Sequence, residues 1–554
     1  MEPCAGGWWS AGELRVSETD YSFFLDRDGP FPDPRSHWQP SGVHGPSRTV
    51  DHSEFRWTDD RWQAPPFSSA VIYEMHAGTF TSSGTFESAI SRLPHLVSLG
   101  VSHVELMPVQ EFSGEWGWGY DGVDLFAPHH AYGGPCGLKA LVNACHEAGL
   151  AVLLDVVYNH LGPEGNYLNR FGPYFTKRYN TPWGPAVNLD GPGSEEVRRF
   201  LCDNALMWLR HYHFDGLRID AIHAIFDSSA VHFLEQLSRE VKELEAQLGR
   251  RFVLIAESDL NDPRVVTPWE AGGYGIDAQW SDDFHHALHT ALAGDRSGYY
   301  ADFGSLAAIA KALTNAFVYD GCFSNFRQRK HGRKVKGLPG WRFLGYLQNH
   351  DQVGNRAKGE RIGHLTNIDR VKIGAALVFC SPFIPMLFQG EEFGASAPFP
   401  YFTSHQDPNL GRLVREGRRR EFEAQGWDPE EICDPQDPET FARAKLDWSE
   451  PASEPHAGLL EWYRKLIALR KATPALCDGR LDRVKVQFDE DERWLVLQRG
   501  TIALLANLCS IRRMVPAPSK NFRVLLSSAE VPPVPDSSGL LDIPPDSVTI
   551  LESL

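Results

Sequence analysis

The sequence predicts an α/β protein built on a (β/α)8 barrel of the TIM type, with a truncated N-terminal β-domain remnant and a small all-β C-terminal domain. Three observations predict it. From Ala70 onward, short apolar runs alternate with amphipathic helical stretches, the signature of βα units on a parallel sheet. Eight such runs are present, the number a closed barrel requires. The chain has 554 residues, whereas single cores stop growing at roughly 250–300, so one large domain with smaller companions is expected.

Residues 1–65 are rich in Pro, Gly, Trp and Asp and carry only short strand-like pieces such as Tyr21–Leu25. They read as the remnant of a β-sandwich domain. Residues 66–455 form the barrel, with candidate strands Val71–Glu74, His103–Met107, Ala151–Val157, Gly216–Ile219, Phe252–Ala256, Asp277–Trp280, Leu344–Gln348 and Ile384–Phe388. Between them Leu138, Leu141, Val142 and Cys145 follow the i, i+3, i+4, i+7 pattern of a helix face, as do Val197, Phe200, Leu201, Trp208 and Leu209. Gly149 then stops the first of these helices as a C′ glycine. The stretch His160–Gly193 is rich in Gly, Pro, Tyr and Asn without a clear period, and a loop that long in a compact domain is usually functional. Residues 456–554 open on a helix, Leu459–Leu469, and continue as short strands such as Trp494–Gln498 and Ile502–Ala506, a small β-domain.

Composition narrows the partner. A net charge of −18 argues against nucleic acid, whose recognition rests on Lys and Arg neutralising phosphates. Nothing approaches the ~18 apolar residues of a membrane span, and the first residues lack a signal peptide's basic start and apolar run, so the cytoplasm is expected. The nine cysteines are odd in number and form no CxxC pair; Cys145 and Cys202 fall at apolar helix positions, and neither a zinc site nor a disulfide framework is indicated. With 16 Trp, 16 Tyr and 32 Phe the chain is aromatic-rich, which suits stacking on sugar rings and equally suits a large core.

Barrel chemistry sits at the C-terminal strand ends. Strand three ends Asp155-Val-Val-Tyr-Asn-His160, strand four Gly216-Leu-Arg-Ile-Asp-Ala-Ile-His223, strand five Ala256-Glu-Ser-Asp259 and strand seven Gln348-Asn-His-Asp351. Acetal hydrolysis needs one protonated carboxyl and one ionised one, which adjacent strands can hold at the ~5–5.5 Å of a retaining mechanism. Asp220 and Glu257 are that pair. Arg218 lies two residues before Asp220 and so shares its face, where a guanidinium keeps the nucleophile ionised. Glu257 follows the apolar run Phe252–Ala256, and a less solvated site raises an acid's pKa.

These four segments resemble the four signature regions of the α-amylase family of glycoside hydrolases. The resemblance implies Asp220 as nucleophile, Glu257 as acid/base and Asp351 as third carboxylate, with Arg218, His160 and His350 around the sugar and Tyr120 as its aromatic platform. The segments Tyr73–Phe80, Val156–Asn166, Ala278–His286 and Asn349–Asn355 are similar to the malto-oligosyltrehalose trehalohydrolase subgroup of that family, from about Gly42 to the C-terminus. That similarity implies cleavage of the α-1,4 bond next to the terminal trehalose of malto-oligosyltrehalose, with functional coupling to a malto-oligosyltrehalose synthase that makes this substrate. No cofactor is expected. Members of the family usually begin with a complete β-sandwich, of which only the final portion, roughly residues 7–61, is expected here.

Other residues carry two readings. Trp280, Asp282, Asp283, His285 and His286 after strand six line the trehalose subsites or cap the next helix. His223 contacts substrate or sits satisfied in the core, and Trp116 and Trp118 stack on sugar or seal their loop. Asp155 reads as a buried anchor, and Glu391 and Glu392 as wall residues. Asn159 occupies a position that binds calcium in some relatives; the other ligands are not evident, and no metal is expected. Two competing functions stay open: a glycogen-branching or debranching enzyme, which shares all four regions, and a non-catalytic glucan-binding barrel.

Overall fold

A computed structural model describes residues 1–4, 9–10, 18–424, 431–519, 521–530 and 539–554. At its centre β1 (Ile72–Met75), β2 (His103–Leu106), β3 (Ala151–Val156), β4 (Gly216–Ile219), β5 (Val253–Ala256), β6 (Ala278–Trp280), β7 (Phe343–Tyr346) and β8 (Ile384–Phe388) close into a parallel barrel in sequence order. All eight expected runs are these strands, with ends shifted by a residue or two. The pleat sorts side chains into two cores. Ile72, Leu153, Ile255, Trp280, Leu344, Tyr346 and Met386 fill the barrel, while Tyr73, Val104, Leu154, Leu217 and Leu254 join a second core beneath the helices.

The helices that cover the sheet include α1 (Leu93–Leu99), α2 (Gly134–Glu147), α3 (Ser194–His211), α4 (Phe233–Leu248), α5 (Asp282–Ala293), α6 (Leu306–Asn315), α7 (Ile368–Cys380) and α8 (His456–Ala472). Alternation fails at one place: β5 and β6 are joined without an α-helix, by a chain whose regular structure is the 3-10 turn Trp269–Ala271. Pro263, Pro268, Gly272, Gly273 and Gly275 account for this, since Pro removes a helical donor and Gly costs backbone entropy. Gly149 has φ +80°, one residue past the Ala148 cap of α2, as expected of a C′ glycine.

The stretch 160–193 has more order than its sequence suggested. It holds a short helix, Leu168–Phe171, and an antiparallel hairpin of Phe175–Thr181 with Gly184–Val187. Its strand Phe-Thr-Lys-Arg-Tyr-Asn-Thr has no buried residue, so no period of two was written into it.

The described residues before β1 form short ladders, Asp20–Tyr21 with Ser47–Arg48 and Phe23–Leu25 with Asp28–Phe31, followed by a segment laid against the base of the barrel. There Asp59 and Trp62 bond His146 at the end of α2 and Asp215 just before β4. The C-terminal sheet is antiparallel, with β9 (Val484–Asp489), β10 (Trp494–Arg499), β11 (Ile502–Asn507), β12 (Phe522–Ser527) and β13 (Ser547–Ser553) in the order β9-β10-β11-β13-β12. Arg370 of α7 pins it through Asp546 at 2.9 Å. Cys145, Cys202 and Cys380 are buried, and all nine cysteines are free thiols.

Candidate active site

The centre of the site is one guanidinium. Arg218 points inward from β4, fully buried, its Cζ 4.3 Å from the centre of the Trp280 ring. Its Nη1 donates to both oxygens of Asp155 (2.7 and 2.6 Å) and to Asp220 Oδ1 (2.9 Å), and its Nη2 lies 3.0 Å from Glu257 Oε2. Three carboxylates from β3, β4 and β5 thus share one cation. The register explains why: Asp155 pairs with Arg218, and Arg218 with Ile255, so adjacent parallel strands deliver their ends at one level.

Each carboxylate then has its own surroundings. Asp220 Oδ2 accepts from Asn159 Nδ2 at 2.7 Å, so both its oxygens are held by donors that complement a carboxylate. Asn159 is thereby committed to orienting Asp220. Glu257 Oε2 accepts the Ala221 N–H at 2.7 Å; burial raises the Glu257 pKa and the Asp220 charge adds to it, against the pull of Arg218. Burial pushes Asp155 up to about 7 despite Arg218. Asp351, also raised by burial, accepts from Asn355 Nδ2 at 2.7 Å and faces His350 and Glu257.

Tyr120 and His350 complete the floor. Tyr120 Oη donates to Asp155 Oδ2 at 2.6 Å and therefore accepts from His350 Nε2 at 2.7 Å. The other ring nitrogen of His350 donates to Glu74 of β1, whose second oxygen accepts the His350 N–H at 2.9 Å. Each ring nitrogen of His350 thus has its own hydrogen-bond partner. Burial alone would lower its pKa, but the Glu74 charge and hydrogen bond outweigh that and raise it. The His350 ring stacks on Tyr120, centroids 5.2 Å apart. His160 lies against Asn159 and the Tyr120 carbonyl, and burial takes it down to about 4, so it is neutral. Its outer face carries Trp183, half-exposed at the tip of the 160–193 hairpin, stacked at 4.3 Å and 7°.

Asp220, Glu257, Asp351, Arg218, Tyr120, His160, His350 and Trp280 are therefore gathered at one end of the barrel, with exposed His223 beside Asp259 at the edge. The strand-six group divides. Asp282 is partly exposed and bonded to Tyr346. Asp283 is turned into the protein, where its Oδ2 accepts from Asn261 and from the N–H groups of Val318 and Tyr319. His285 is buried, stacked on Tyr346 and bonded to Tyr300, and His286 packs on Tyr299, Tyr300 and Phe303. Trp118 stacks on Phe399 and donates to the Pro400 carbonyl, while Trp116 stacks on Phe441. Glu391 and Glu392 are buried and bonded to Tyr463, Tyr73 and His95.

Glu74 and Tyr346 escaped the sequence reading. A charged residue in a strand buried on both faces was the available signal for Glu74; nothing marked Tyr346. Among the described residues, one group has metal-ligand spacing, Glu111, His129 and His130. Two of its members already bond each other, with His130 Nδ1 2.7 Å and His130 N 2.8 Å from the two Glu111 oxygens.

Comparison with known proteins shows the family. Residues 54–180 match the family model "Alpha amylase, catalytic domain", and residues 479–550 match a domain of unknown function, DUF3459. The malto-oligosyltrehalose trehalohydrolase of Rhizobium sp. (strain M-11) is 49% identical over 509 residues, 91% of this chain and 85% of that protein. The enzyme of the same name from Mycobacterium tuberculosis (strain ATCC 25618 / H37Rv) is 47% identical over 551 residues, covering 97% and 93%. Among solved structures, a Salmonella typhimurium protein assigned to the alpha amylases superposes with TM-score 0.90 at 38% identity, over 100% of this chain and 94% of that one. A pullulanase complexed with maltotetraose, from Anoxybacillus sp. LM18-11, shares the fold at 20% identity and TM-score 0.67. The chain belongs to the malto-oligosyltrehalose trehalohydrolases, within the α-amylase family of glycoside hydrolases.

Proposed function

We propose that this barrel hydrolyses the α-1,4 bond next to the terminal trehalose of malto-oligosyltrehalose by double displacement, with Asp220 as nucleophile and Glu257 as acid/base. The observation that carries this reading is the Arg218 guanidinium shared by both carboxyls, one held by two donors that complement a carboxylate and the other, half-buried, with a raised pKa. In the first step Asp220 attacks the anomeric carbon while Glu257 protonates the departing oxygen. In the second, Glu257 takes a proton from water, which breaks the glycosyl-enzyme and restores the starting configuration. Asp351 and His350 lie across the site, where hydroxyls of the ring in the cleavage subsite are to be held, and Tyr120 lies beneath it.

The trehalohydrolase names of relatives at 44–50% identity favour trehalose release over branching, since a branching enzyme from Pseudoalteromonas atlantica is 24% identical over 62% of its length. The substrate would be made by a malto-oligosyltrehalose synthase. No helix among the described residues is long and apolar enough to cross a membrane, and nine free thiols suit the reducing cytoplasm.

The test is incubation with maltotriosyltrehalose and, in parallel, maltopentaose. Rapid trehalose release from the first, with an α-configured reducing end on the other product by NMR, is expected, and Asp220→Asn should abolish it in a folded protein. Equal attack on both substrates would make this a general α-glucan hydrolase instead. Because Glu257 must be protonated and its pKa is raised, kcat/KM should fall on the alkaline side, with a midpoint above the 4.5 of an ordinary glutamic acid.

A further inference from the structure

Asp282 has the geometry of a ligand group and no structural use for half of its carboxyl. It stands two residues beyond the end of β6 and is partly exposed where Trp280, Ser281, Asp283 and Phe284 around it are all buried. One oxygen accepts the phenol of Tyr346, a rigid partner inside the barrel whose ring packs against Trp280 at 5.5 Å and stacks on His285 at 5.7 Å. Its other oxygen makes no hydrogen bond or ion pair among the described residues. The neighbouring Asp283, by contrast, is fully engaged in anchoring the chain at residues 318–319. Keeping an ionised carboxyl here would be costly, because burial disfavours its charge, Glu257, Asp351 and Asp259 oppose it, and no cation among the described residues pairs with it. A local rule broken this way inside a well-packed barrel marks a functional position.

Its direction follows from the strand order. Tyr120, on the loop after β2, and His160, after β3, flank the cleavage subsite; β6 lies opposite β2 in the eight-strand ring and next to β5, which carries Glu257. The leaving oxygen has to meet Glu257, so the leaving sugar extends over the β5–β6 side, past Asp282. We propose that Asp282 is a specificity-determining residue whose free carboxyl oxygen hydrogen-bonds a hydroxyl of the departing disaccharide, an inference that rests on the hydrolytic reading above. Burial raises Asp282 to about 8, with Glu257 and Asp351 adding to it and Tyr346 drawing it down, so near neutral pH the carboxyl carries a proton and can donate to a hydroxyl oxygen. A site built to bond a substrate hydroxyl discriminates strongly between ligands that have and lack it.

The experiment compares two substrates that differ in leaving group: maltotriosyltrehalose, and α-maltosyl fluoride, whose leaving group has no hydroxyl to bind. For Asp282→Ala, the ratio of kcat/KM on the first to kcat/KM on the second should fall at least tenfold from its wild-type value. A ratio within twofold of wild type, whether both constants fall together or neither falls, overturns the proposal. Tyr346→Phe, which removes the anchor but keeps the ring, should lower the same ratio at least threefold and decides the matter if the alanine variant does not fold. Failure of the parent reading looks different, as wild-type protein that releases no trehalose.

Discussion

At the scale of single residues, Arg218 decides how the site is charged. A buried cation would be expected to pair with one carboxylate; this one touches three, and its removal leaves them facing each other at low dielectric. Lysine is not a substitute, because a point charge cannot reproduce a planar fork that reaches Asp155 and Asp220 from one nitrogen and Glu257 from the other. Arg218→Lys is therefore expected to lower kcat/KM by about 100-fold, or ~3 kcal/mol of transition-state stabilisation, and to lower the melting temperature as well. Steady-state kinetics with a parallel thermal scan checks both; retention of activity within a few-fold would mean that the carboxylates orient without it. His350 behaves in the same cooperative way, since Glu74 on one side and Tyr120 on the other hold both ring nitrogens, and the Glu74 charge and hydrogen bond raise its pKa against burial.

At the scale of elements, the loops at the catalytic end are fixed by close backbone approaches. Two glycines with similar backbone angles show the difference. Gly149 has φ +80° and no atom within 4 Å of where a Cβ would stand, so Gly149→Ala carries only the left-handed strain, about 1 kcal/mol, with kinetics unchanged. Gly114 has φ +87°, and a Cβ there would meet the Ser404 carbonyl oxygen at 2.0 Å. Ser404 Oγ in turn accepts from the N–H groups of Glu115 and Trp116, so Gly114→Ala should displace the loop leading to Tyr120, lowering both stability and kcat/KM. Urea midpoints and kinetics for the two variants, measured side by side, distinguish strain alone from strain plus displacement. The strands were legible because buried parallel strands are written as apolar runs, and the four carboxylate-bearing motifs because they terminate those runs. The missing helix between β5 and β6 was also written, in Pro263, Pro268 and the three glycines, but was overridden by the expected alternation. What could not be read was inward register across distant strands: Glu74 under His350 and Tyr346 under Asp282 are separated from their partners by 276 and 64 residues. The turn of Asp283 into the protein, away from the site, likewise depended on where residues 318–319 come to lie.

At the scale of the whole molecule, the segment before β1 is held to the barrel base by a buried charge cluster whose strength depends on pH. His146 Nδ1 bonds Asp59 Oδ2 at 2.8 Å and its Nε2 bonds Asp215 Oδ2 at 3.0 Å, so the ring is doubly protonated between two carboxylates. Trp62 stacks on it at 4.5 Å and donates to Asp215 Oδ1, and His213, stacked on Trp57, also bonds Asp59. Burial lowers the His146 pKa, but Asp215 and Asp59 raise it further, leaving it above the ordinary 6.5. Burial raises Asp59 and Asp215, and the hydrogen bonds and charges of His146, joined by His213 at Asp59 and by Arg250 and the Val152 N–H at Asp215, together more than reverse that, leaving both below 3.8. The histidine's contribution is complete below its unfolded pKa and is lost as pH rises through its raised folded value. The carboxylates' contribution is complete above their unfolded pKa and is lost as pH falls through their depressed folded values. The clasp is therefore strongest between about pH 5 and 6, above the carboxylates' ordinary range and below that of histidine. Removing one partner of a buried pair costs about 3–5 kcal/mol, so His146→Gln should lower the melting temperature most in that window and flatten the decline in stability that wild type shows as pH rises past neutrality. Melting curves of both proteins from pH 5 to 9 make the comparison. Parallel curves at all pH values would show that the cluster holds this segment by packing of Trp57 and Trp62 alone, whereas convergence toward high pH would assign the difference to the His146 charge.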